Sequence, residues 1–100
     1  MSFKYEYRII KDTSIEFLGY SHDDPLLVTI YNILKKINVP MISLENVWKL
    51  DELSLEETSD YGEIRIVKNE WGDIFIFTKK NKLLEIIDNL LDKDKNFKKV

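Results

Sequence analysis

A chain of 100 residues, 44% apolar and 33% charged, holds material for one packed core and has no room for two. The absence of cysteine excludes disulfides, zinc ribbons, thiolate nucleophiles and iron–sulfur clusters. A net charge of −3 and only two Arg among fifteen basic residues argue against a nucleic-acid binder, since bulk positive charge attracts the backbone and Arg is the usual bidentate reader of phosphate and guanine.

No apolar run approaches the ~20 residues that cross a bilayer. The N-terminal MSFKYEYRII carries a charge at every second residue from Lys4 to Arg8, which leaves no apolar stretch for a secretory signal. The expectation is a single cytoplasmic domain spanning residues 1–100, with no membrane and no direct nucleic-acid partner.

Along the chain, Phe3, Tyr5, Tyr7 and Ile9 alternate with Lys4, Glu6 and Arg8, the period-two pattern of a half-buried strand. Lys11-Asp12-Thr13 reads as a turn. Residues 14–20 then supply a second strand that pairs as a hairpin and ends, or bulges, at Gly19. Asp24-Pro25 is a helix start, with Asp as cap and Pro at the first helical position. Leu26, Leu27, Ile30, Leu34 and Ile37 follow at helical spacing. Lys35 and Lys36 suit the negative end of the dipole, and Asn38 and Pro40 stop a helix of about 24–38.

Residues 44–50, with Val47 and Trp48, read as a short strand, and the polar, acidic residues 51–61 as a loop. Glu63 to Lys68 alternates again. The NEWGD turn at 69–73 offers Gly72 for a positive φ. The unbroken apolar run Ile74-Phe75-Ile76-Phe77 suggests a central strand buried on both faces. A second helix, about 81–92, carries Leu83, Leu84, Ile87, Leu90 and Leu91 on one stripe, with Asn81 as its cap. The Lys-rich tail, 93–100, is expected to fray unless Phe97 anchors it. The order β-β-α-β-β-β-α, with strands clustered in hairpins, predicts an α+β fold: an antiparallel sheet of about five strands with two helices packed on it.

His22 is the only histidine, and with Asp23 or Asp24 beside it could serve as a base or metal ligand. Sequence-adjacent side chains rarely converge on one ion, and a solvated capping loop explains SHDD more simply. Asp60, Glu63 and Arg65 resemble the acid, acid-x-base spacing of metal-dependent nucleases, whose carboxylates hold a divalent ion. The short spacing, and a base that is Arg, favour plain solvent-facing charges on a strand. The three glycines are isolated, so no phosphate loop forms, and no Ser sits in a nucleophile elbow. The reading is therefore of no catalytic residue, no metal and no cofactor.

The sharpest charge asymmetry is Asp51, Glu52, Glu56, Glu57, Asp60 and Glu63, six acids with no base between them. A solvated acidic loop is the plain reading. The functional one is a docking patch that steers a basic protein surface, with Trp48, Tyr61 and Trp71 as aromatic anchors. A tryptophan in a tight turn is hard to bury, which makes Trp71 the candidate for exposure.

The stretch from Glu63 to Val100, hairpin EIRIVKNEWGDIFIF followed by helix KLLEIIDNLL and a short basic tail with Phe97, in an acidic, cysteine-free chain, resembles the small immunity proteins that protect bacteria from polymorphic or contact-dependent toxins. The resemblance covers about the last third of the chain. It implies a stoichiometric inhibitor that occludes a toxin's active site, often a nuclease with a basic cleft. The expectation is thus a non-enzymatic protein-binding module acting by occlusion and charge complementarity. The alternatives are a small hydrolase or nuclease using His22 and nearby acids, and a structural homodimer formed through the exposed edge of the sheet or surplus aromatics on the first strand.

Overall fold

In a computed structural model, the described residues are 4–11, 13–20, 25–40 and 52–100. They form β1 (Tyr5–Ile10), β2 (Ser14–Leu18), α1 (Leu26–Leu34), β3 (Leu53–Ser59), β4 (Gly62–Lys68), β5 (Ile74–Thr78), α2 (Asn81–Lys93) and β6 (Phe97–Lys99). The sheet has six strands in the order β3-β4-β5-β2-β1-β6. The fold is α+β as expected, but the sheet is mixed: β6 runs parallel to β1, pairing Tyr5 with Phe97 and Tyr7 with Lys99. Among the described residues no helix is long and apolar enough to cross a membrane.

Period-two register decides what is buried. Tyr5, Tyr7, Ile15, Phe17, Ile64, Ile66, Ile74 and Ile76 share one sheet face and join the helices in a single core. From α1 come Leu26, Leu27, Ile30, Tyr31, Ile33 and Leu34, an apolar surface wide enough to sink the helix almost completely. From α2 come Leu83, Leu84, Ile87 and Leu91. Both helices therefore lie on one face, and the described residues form two layers.

The ends of the elements are local chemistry. After α1 a 3-10 turn, Lys35–Ile37, leads to Asn38 at φ 60°. There Asn38 N–H donates to Lys35 O (3.0 Å) and Val39 N–H to Leu34 O (3.2 Å), the paired bonds of a Schellman cap with a buried residue, Val39, following it. At the far end of α2, Asp94 turns extended, and its Oδ1 accepts from Asn96 N–H at 2.9 Å, sending the chain back beside β1.

Three expectations need correction. The acidic stretch taken as a loop is the edge strand β3, paired along its length with β4 from Leu53↔Lys68 to Ser59↔Gly62; cross-strand pairing overrides the weak β preference of Glu and Ser. The β5 run is central but not buried on both faces: Ile74 and Ile76 point inward, whereas Phe77 is 38% exposed, because the helices cover one side only. Asn81 is the first helical residue of α2, and Lys80 occupies the cap position without a side-chain bond. Of the two readings left open for the tail, the structure has the anchored one: Phe97 is 2% exposed and β6 extends the sheet. The strand at 44–50, His22, Asp24, Trp48 and Asp51 lie outside the described residues.

Candidate functional site

The β4–β5 turn is a tightly hydrogen-bonded surface feature. Asn69 Oδ1 accepts from Trp71 N–H (3.0 Å) and Asp73 N–H (2.9 Å). Asn69 O accepts from Gly72 N–H at 2.9 Å, and Asn69 N–H donates to Asp73 O at 3.0 Å. Gly72 sits at φ 84°, a conformation that a side chain would strain. From the end of β2, the Tyr20 hydroxyl donates to Gly72 O and accepts from Ile74 N–H, both at 2.7 Å. Burial pushes the Tyr20 phenol up to about 12, with Asp73 and Glu16 adding to the rise, so the hydroxyl remains protonated at neutral pH. The turn is held by side chains at both ends, and what it holds out is Trp71, 77% exposed, with exposed Glu70 and Asp73 beside it.

At the opposite end of β4, the β3–β4 turn is held by Ser59, whose Oγ accepts from Tyr61 N–H (3.1 Å) and donates to Gly62 O (2.7 Å). Asp60 N–H donates to Ile37 O at 3.0 Å, and Asn38 Nδ2 donates to the Asp60 carboxylate at 2.6 Å, tying this turn to the end of α1. Tyr61 is 51% exposed. Seven residues of strand at ~3.3 Å each keep Tyr61 and Trp71 roughly 20 Å or more apart, so the two aromatics do not form one anchor.

The acids are also dispersed. Glu57 lies on the inward-facing side of β3, partnered with Ile64. Its carboxylate adds to the burial that raises the Tyr31 phenol, although the Tyr31 hydroxyl makes no hydrogen bond of regular geometry. Glu56 and Glu63 point to the open face. Glu56 stands opposite Arg65, and Glu63 meets Lys79 at 3.6 Å. Arg65 Nε also donates to Ser54 Oγ at 3.2 Å. Glu52 and Asp60 are exposed. Among the described residues no three carboxylate or imidazole groups converge as a metal would require, and the Asp60, Glu63, Arg65 trio is spread over a turn and a strand.

The open face carries what the sequence reading missed. Phe75 and Phe77 stack there with ring centroids 6.0 Å apart, next to partly buried Val67, Leu18 and Ile10. A shallow cleft of about 430 Å³ at one end of the pair is lined by Phe77, Glu56, Glu63, Arg65 and Lys79. The signal was present in the alternation of Phe with Ile, but in an all-apolar run the period of two is invisible to a polar/apolar pattern.

Comparison with known proteins finds no matching family model, no similar curated protein and no matching solved structure.

Proposed function

We propose that this chain is a non-enzymatic protein-binding module, most concretely an inhibitor-like or toxin-neutralising protein that occludes a basic surface of its partner. The observation that carries this reading is Trp71, a large aromatic held 77% exposed on a turn fixed by Asn69 and Tyr20. Tryptophans of this kind dominate interface energetics, and a turn already rigid loses little further freedom on binding. Glu70 and Asp73 flank it, with Asp60 and Glu52 elsewhere on the same hairpin system, so a partner with an apolar pocket rimmed by Lys or Arg fits the chemistry.

The test is capture of a stoichiometric partner from the host lysate at low and high salt, with Trp71→Ala beside the native chain. A partner held at low salt by the native chain, released at high salt and absent with the variant supports the reading. Capture that is indifferent to Trp71 removes its basis.

A further inference from the structure

The open sheet face has a symmetry of charge that the sequence order hides. Across the strands, the row through Phe77 runs Glu56, Arg65, Phe77, Ser14, Ile10 and the row through Phe75 runs Ser54, Val67, Phe75, Glu16, Arg8. With β5 as the midline, the neighbour on one side contributes Arg65 and the neighbour on the other Glu16. One strand further out, Glu56 on β3 is matched by Arg8 on β1. Within these two rows each inner charge has the opposite sign on the other flank, and so does each outer one; in the flanking rows Glu63 meets Lys79 and Glu6 stands beside Lys98. Within the chain they form couples, Arg8 with Glu16 as an ion pair and Arg65 with Glu56 across the β3–β4 ladder. The face is thus locally neutral although the chain carries −3.

We infer that this face is built to receive a second copy of the same chain. Turning one sheet over onto another about a twofold axis along β5 sets Phe75 and Phe77 against their counterparts. It lays β4 across the partner's β2 and β3 across the partner's β1. Arg65 then approaches Glu16 of the other copy, and Glu56 approaches Arg8, in each case one residue row apart and within reach of long side chains. The same operation brings Glu16 to Arg65 on the other flank, as an isologous contact requires.

The area is that of a weak interface. Five strands, β3 to β1, overlap in this arrangement; at ~4.8 Å spacing and five to seven residues of ~3.3 Å each they give a plate of roughly 20 by 20 Å, about 400 Å² per partner, which belongs with small, transient associations. A face neutral in its own couples gives a basic partner no net field, whereas its charge order matches its own image. The assembly would be four layers, helices outside and two sheets stacked ~10 Å apart within. The axis also places both Trp71 turns at the same end.

The test is sedimentation equilibrium of the full chain between about 1 μM and about 1 mM, the range of weak to moderate affinities, with native circular dichroism as the folding control. The expected result is a mass rising toward twice 11.9 kDa. Phe77→Ser abolishes the rise. Arg65→Glu and Glu16→Arg each weaken self-association by about tenfold or more, since each places like charges in both symmetric contacts. An equimolar mixture of those two variants restores the dimer, because every cross-contact again joins opposite charges. A native chain monomeric throughout, a dimer indifferent to Phe77→Ser, or a mixture that remains monomeric overturns the inference. Trp71→Ala leaves the dimer intact, so failure here and failure of partner capture are separate outcomes.

Discussion

Two aromatic groups on this sheet have opposite fates. Tyr5, Tyr7 and Phe17 gather around Phe97, with ring centroids 5.3, 6.4 and 5.8 Å from it, and all four are essentially sealed from water. Phe75, Phe77 and Trp71, only a few strands away, face outward or stand in solvent. Composition does not distinguish the groups. Register does: one residue's shift in a strand exchanges the faces, and among the described residues the helices lie on one face. The buried group is therefore a stability device, whereas the exposed group adds little to the core and is the surface on which the proposed binding rests.

The largest effect that this contrast predicts is at Phe97. Phe97→Ala removes the ring that closes the cluster and the only buried residue of β6. It should cost about 3–5 kcal/mol, a large part of a total of ~5–15, read as a fall in the urea midpoint. A loss below about 1 kcal/mol would mean that the tail merely rests on the sheet and that the two aromatic groups are not different in kind.

The next effect is at Tyr7. Its hydroxyl donates to Asp88 Oδ1 at 2.8 Å, and Lys99 Nζ reaches Asp88 Oδ2 at 2.9 Å, so one carboxylate on α2 ties together β1 and the end of the chain. Tyr7→Phe leaves the ring packing and deletes a bond to a charged acceptor, a loss of about 1.5–3 kcal/mol in the same urea assay. Asp88→Asn, which retains an acceptor, should lose less.

Much of this arrangement was readable in the residues before the structure. Both hairpins, both helices, the Asn38 stop, the positive φ at Gly72 and the exposure of Trp71 follow from periodicity and turn chemistry. What failed did so for identifiable reasons. Leu53 and Leu55 alternate as a strand should, but Ser, Glu and Thr between them mimic a loop, and only pairing with β4 makes the segment a strand. Phe75 and Phe77 read as core because apolar character alone does not say which face has a cover. The tail's single Phe among lysines gave no period to read, and its place depends on a parallel partner ninety residues earlier. For the candidate site, the exposed aromatic was visible in sequence, but its Tyr20 brace, fifty residues upstream of the turn, was not. The apparent unity of the acidic segment dissolved once Glu57 turned inward and Glu56 and Glu63 faced basic neighbours.

Tyr20 gives a smaller effect that also has a pH signature. Tyr20→Phe removes two hydrogen bonds from the β4–β5 turn, a loss of about 1–2 kcal/mol at neutral pH. Tyr7, Tyr20 and Tyr31 all have raised phenol pKa values, chiefly from burial. The folded state favours the neutral phenols, so the stability they confer is complete below the ordinary tyrosine value near 10 and is lost as pH climbs, through about 12 for Tyr20. Alkaline titration of native-state stability should therefore fall steeply above pH ~10 and less steeply in Tyr20→Phe. Equal slopes would place the alkaline loss entirely in the two core tyrosines.

The smallest stability effect belongs to the residue on which the functional reading leans most. Trp71 sits 77% in water, and the hydrogen bonds of its turn are made by its backbone N–H and by its neighbours, not by the indole. Trp71→Ala should therefore change unfolding free energy by no more than about 0.5 kcal/mol. A neutral result leaves Trp71 without a folding role, which the proposed anchor requires. A loss of about 2 kcal/mol would show instead that the indole packs against the sheet, returning Trp71 to the stability group and leaving the turn without an anchor to offer.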